Sequence, residues 1–112
     1  LHLKPLGTIG GFQVDKVDGS RIRDLLDVDF TSGGSAGRYR YIPEGHIWID
    51  DGLTPEDVAP TIVHEIVEYS LMQEGASYSD AHDMAAEVEM DMRSGRNGGP
   101  PIQEAKEFLD NL

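Results

Sequence analysis

The chain has 112 residues, enough for one small domain built on a single core. Hydrophobic residues at 38% beside 27% charged give the balance of a globular protein rather than a disordered one, and thirteen glycines with six prolines announce many turns. A formal charge of −12 excludes nucleic acid and anionic membrane as main partners, and the absence of cysteine excludes disulfides, thiolate zinc sites and cysteine nucleophiles together.

The only basic grouping, Arg38 and Arg40 with Arg21 and Arg23 upstream, is too thin to reverse the acidic field. No apolar run approaches the roughly 20 residues of a membrane span. The first residues carry no signal-peptide pattern, so a cytoplasmic protein is the expectation.

Residues 1–11, with Pro5, Gly7, Gly10 and Gly11, read as an irregular lead-in. "FQVDKV" at 12–17 alternates as a half-buried strand does, and Asp18-Gly19 follows as a turn signal. Ser20 is the expected N-cap of a short helix over 20–27, with Ile22, Leu25 and Leu26 facing inward. "FTSGGSAG" at 30–37 lacks both the lysine of a phosphate loop and a helix directly behind it, which makes it a mobile loop or wide turn.

"RYRYI" at 38–42 and "HIWID" at 46–50 alternate across Pro43-Glu44-Gly45 and read as a β-hairpin. Trp48 is its core anchor, while His46, like His2 in the lead-in, fits no pattern and is surface or structural.

Thr54-Pro55-Glu56-Asp57 starts a helix, but Pro60 would remove an internal hydrogen bond. The expectation is therefore a short turn at 55–59 and a main helix over 60–74, stopped by Gly75. Ser77 or Ser79 opens a second helix over 78–94, closed by "SGRNGGPP"; a last amphipathic helix spans 101–111 on Ile102, Ala105, Phe108 and Leu109. The fold class that follows is α+β, a small antiparallel sheet packed on two or three helices.

The helix over 60–74 is apolar nearly all round, the mark of a buried helix, yet carries His64, Glu65 and Glu68. His64 and Glu68 stack on one face and Glu65 lies on the flank. On the next helix His82 and Glu89 share the face of Tyr78, Ala81, Ala85, Ala86 and Met92, opposite the acidic face of Asp80, Asp83, Glu87 and Asp91. A buried carboxylate costs several kcal/mol unless paired or metal-bound. A shared divalent ion explains all four misplaced groups; a metal-free polar network fixing helix register is the alternative.

Zinc accepts imidazole and carboxylate, and a catalytic site keeps three protein ligands and one open position. His64, Glu68 and His82 make such a set, with Glu65 placed as general base for a metal-bound water. The string "HEIVE" followed by "YSDAHDMAAEVE" and preceded by "IPEGHIWIDDG" resembles the zincin-like metallopeptidases, in particular the minimal zincin domains of bacterial and phage proteins, over about residues 38–92.

That resemblance implies His64 and Glu68 as ligands, Glu65 as base, His82 as third ligand, and an edge strand at 46–50 that holds an extended peptide or protein substrate. Glu68 replaces the usual histidine, and Glu89 is either an alternative third ligand or a group supporting one. Tyr78 is a candidate to steady an oxyanion, or else a core tyrosine. The function expected is a zinc-dependent peptidase or hydrolase, with zinc or another divalent metal; the alternative is an inactive metal-binding structural or interaction module. An exposed edge strand also offers a homodimer surface.

Overall fold

The computed structural model describes residues 3–27, 30–96 and 98–112. His2 lies outside them. Eight elements follow in order: β1 (Leu3–Ile9), β2 (Phe12–Val17), α1 (Gly19–Leu25), β3 (Gly33–Ser35), β4 (His46–Asp50), α2 (Pro55–Gln73), α3 (Tyr78–Ser94) and α4 (Pro101–Asp110). They form a small α+β domain with a mixed sheet in the order β1-β2-β4-β3. The sheet is not wholly antiparallel as expected: β2 and β4 run parallel, with Val14 opposite Ile47 and Asp15 opposite Trp48.

Period-two alternation divides the core between the two sheet faces. Val14, Ile47 and Ile49 join Val58, Ile62, Val63 and Ile66 of α2 and Ala105 of α4 on one side. Val17 and Trp48 join Ile22, Phe30, Tyr39 and Ile42 on the other. Each fully buried aliphatic or aromatic side chain contributes about 1.5–3 kcal/mol. As expected, Trp48 anchors a core, and His46 is structural, its Nδ1 standing 2.9 Å from Oδ2 of the buried Asp15.

Several expectations for the first half are corrected. The lead-in is strand β1, joined to β2 by Gly10-Gly11, where Gly10 has φ +57°. Two glycines between Ile9 and Phe12 are themselves a hairpin signal, and Pro5 is tolerated because β1 is an edge. The helix α1 is capped by Asp18, which accepts from the Arg21 N–H, rather than by Ser20; only Ile22 of its three apolar residues is buried, Leu25 and Leu26 being exposed.

The glycine-rich stretch is not a loose loop but contains β3, antiparallel to β4. A Cβ on Gly33 would stand 3.0 Å from Thr61 Cγ2 of α2, and one on Gly34 2.5 Å from the Tyr39 ring, so these glycines permit close packing rather than motion. Residues 38–42 form turns instead of a hairpin strand. Consequently β4 has partners on both sides, and the edge assigned to it belongs to β3.

The second half follows its sequence signals closely, with one correction. Ser77 caps α3 by accepting from the Asp80 N–H, and α4 covers the expected residues. But α2 runs unbroken through Pro60. Proline there leaves the Glu56 carbonyl without its helical donor, and the Arg96 guanidinium supplies one instead. The same guanidinium holds the buried Glu104 of α4 at 2.8 and 2.9 Å, tying the start of α2 to α4.

Arg96→Met is expected to cost about 2–4 kcal/mol of stability, since it strands a buried carboxylate and an open carbonyl. In a Pro60→Ala background the restored N–H serves the carbonyl, and that penalty should shrink by about 1 kcal/mol. Urea melts of the four proteins measure this; equal penalties would separate Arg96 from the N–H that Pro60 lacks. Because the Arg96 hydrogen bond holds the Glu104 carboxyl below its ordinary 4.5, the pair's contribution is complete above that pH and is lost as pH falls through the lower folded value. The Arg96→Met penalty should therefore fade in acid.

Candidate metal centre

Helices α2 and α3 are joined by residues 74–77 and lie antiparallel, so positions match in reverse order. Asp57 meets Arg93, His64 meets Glu89, and Glu68 meets His82. Buried Ala81 and Ala85 of α3, with no side chain beyond Cβ, allow this approach.

Three ligand atoms converge. His64 Nε2 lies 3.2 Å from Glu68 Oε2 and 3.3 Å from His82 Nδ1, which is itself 2.9 Å from the same carboxylate oxygen. Atoms bound to one tetrahedral zinc stand about 3.3–3.6 Å apart, so the shortest edge of the triangle has to open by about 0.4–0.7 Å to accept the ion. His64, Glu68 and His82 are thus a cluster able to coordinate a divalent metal.

Proton bookkeeping leads to the same point. His64 Nδ1 lies 2.8 Å from Glu89 Oε1 and must donate to it, which in the neutral ring leaves a lone pair on Nε2 facing the Glu68 oxygen. Only a proton or a cation resolves that conflict. Burial alone would lower the His64 pKa, but the Glu68 hydrogen bond and the charges of Glu65, Glu68 and Glu89 raise it above its ordinary value. Burial would raise the Glu68 carboxyl, yet hydrogen bonds from His64 and His82 hold it below the usual range.

The triangle forms the floor of a cleft of about 300 Å³. His64 and Glu68 are buried, whereas His82 is exposed over 47% of its side chain, so the site opens to solvent on the α3 side. Glu65 lines the cleft, and burial, then the neighbouring Glu68 charge, pushes its carboxyl up to about 8. Thr31, Ser32 and Gly33, leading into β3, also line it.

Glu89 does not face the triangle. It accepts from the far side of His64, while its other oxygen takes the Arg93 Nε at 2.8 Å, and Arg93 reaches on to Asp57 at 2.8 Å. It fixes the His64 ring rather than competing with His82. Sequence reasoning missed Arg93 and Asp57; the i,i+4 spacing of Glu89 and Arg93 was the available signal. Tyr78 is not a core residue, being 40% exposed, and its ring stacks on His82 at 5.6 Å.

No protein-family model, curated protein or solved structure matches the chain. Among the described residues no helix is long and apolar enough to cross a membrane.

Zinc added to metal-free protein is expected to bind one ion per chain and to raise the unfolding temperature. Glu68→Ala and His82→Ala should each abolish the shift, and Glu89→Gln should weaken binding about 10–100-fold by releasing the His64 ring. Calorimetric titration with elemental analysis measures this; an affinity indifferent to Glu89 would remove its orienting role.

Proposed function

We propose that the chain is a divalent-metal-binding domain, with zinc or a comparable ion held by His64, Glu68 and His82 so that it joins α2 to α3. One observation carries this reading: two imidazole nitrogens and one carboxylate oxygen lie within 3.3 Å of one another in a partly buried site where neutral rings set the His64 Nε2 lone pair against an ionised Glu68 oxygen.

A second reading, metal-dependent hydrolysis of a peptide or protein, is favoured by the cleft itself. A site kept only to join helices has no need of an open side, yet His82 is half exposed and Glu65 faces the same space. A bound dication would supply Lewis-acid polarisation of a carbonyl and of a water. Glu65, beside His64 but outside the ligand triangle, is the group to take up the proton released. Thr31, Ser32 and Gly33, leading into the outer strand β3, line the same cleft and give an extended chain a main-chain neighbour there. This reading keeps the zincin-like resemblance while moving the substrate-holding segment from residues 46–50 to 31–33.

Glu65→Gln separates the two readings. The hydrolase reading expects full zinc stoichiometry with hydrolysis of a peptide library reduced about 100-fold or more. If parent and variant load zinc equally and neither cleaves any member, the metal serves structure or partner binding alone.

A further inference from the structure

We propose that Arg38 is the anion-recognising residue of the cleft and that it takes a carboxylate of a peptide whose other polar end faces the His64, Glu68 and His82 triangle. The inference rests on the metal-site reading above and adds the class of ligand.

Arg38 and the triangle line the same cleft. The guanidinium carbon lies 5.0 Å from the ring centroid of Tyr39 and 5.0 Å from that of Tyr78. Tyr78 in turn stacks on His82, so the cation stands two ring contacts from a ligand atom. Aromatic contacts engage the faces of the guanidinium and restrict its rotation, while a carboxylate is bound through the edge, where the forked N–H groups lie. Tyr78, also a hydrogen-bond partner, takes only part of that donor capacity.

Three other arginines are paired with carboxylates. Arg93, also in the cleft wall, is held by Asp57 and Glu89; Arg23 is paired with Asp50 and Arg96 with Glu104. Arg38 is set against the Tyr39 and Tyr78 rings, with the Asp27 charge acting on it from nearby. In a chain of charge −12 whose cleft walls carry Asp57, Glu65, Glu68 and Glu89, an arginine clasped at the lip turns that end of the cleft toward anions. The ligand carboxylate has two sources, a C-terminal α-carboxylate or an acidic side chain.

A ruler of α,ω-dicarboxylates from succinate to suberate, each beside the monocarboxylate of equal length, tests the pairing by calorimetric titration of the zinc-loaded protein. One chain length should bind about tenfold or more tighter than its monocarboxylate. Arg38→Met should remove that advantage and leave zinc content and monocarboxylate affinity unchanged. Arg38→Lys, which keeps the charge and the stem but not the fork, should lose most of it and serves where the Met variant melts early.

A parent with no dicarboxylate preference, or a preference that survives both substitutions, overturns the proposal while the metal reading stands. A parent that holds no zinc by elemental analysis overturns both. The same titration with a tripeptide, its C-terminal amide, and that amide carrying one glutamate assigns the carboxylate: the ligand whose binding falls on Arg38→Met names the source, and three insensitive peptides overturn the proposal.

Discussion

A glutamate carboxylate 2% exposed in the middle of a helix is the group that the rest of this structure has to accommodate. Glu68 sits on α2, the helix that packs against the sheet, α3 and α4, and moving it to solvent would turn Val63 and Ile66 out of the core. Its charge must therefore be met in place. Two imidazoles meet it, one a turn earlier on α2 and one on α3, and their nitrogens close on the same oxygen. An uncompensated carboxylate there would cost several kcal/mol, comparable with the whole stability of a domain this size.

The antiparallel packing of α2 and α3 turns that local requirement into an extended polar seam. From Asp57 through Arg93, Glu89 and His64 to Glu68 and His82, each group is held by a neighbour on the opposite helix or one turn away. Its two ends are about equally exposed, 40% for the Asp57 side chain and 47% for that of His82, but Asp57 is held by Arg93 whereas beyond His82 the seam ends at the cleft. A chain of hydrogen bonds with one well-anchored end and one open end presents its last nitrogen to the cleft in a fixed orientation, because rotating the His64 ring would break the Glu89 bond first.

Much of this was legible in the sequence because helical periodicity is a strong signal and misplaced polar residues stand out against it. His64, Glu68, His82 and Glu89 were identifiable from faces alone, as were the Ser77 cap and the closing helix. The first half was legible at β2, the short helix carrying buried Ile22, the strand His46–Asp50 and the core role of Trp48, and little elsewhere, since short strands are specified by pairing partners distant in sequence. "GGS" carries no strand propensity, and its place beside β4 depends on Thr61 and Tyr39 packing against bare backbone. The continuity of α2 through Pro60 was equally hidden, because the donor that replaces the missing N–H is Arg96, 36 residues on, across an intervening helix. Tyr78 and His82 were placed on a burying face by periodicity, yet both are half-exposed, because α3 packs on α2 mainly through Ala81, Ala85 and Met92 and leaves its first turns at the rim.

The charge of the ligand set carries a further consequence. A carboxylate ligand in place of a second helix histidine adds a full negative charge at the ion, which strengthens retention of a dication and weakens its pull on a carbonyl or a water. Glu89 adds donor strength through His64, but Arg93 offsets its charge, so the deeper layer does not weaken the site further. What remains adjustable is the cleft side, where Glu65 is held neutral by burial and by Glu68 in the metal-free protein, and Arg38 supplies positive charge at the lip. A dication in the triangle would thus be gripped from the buried side of the seam, and its chemistry would be tuned from the exposed one.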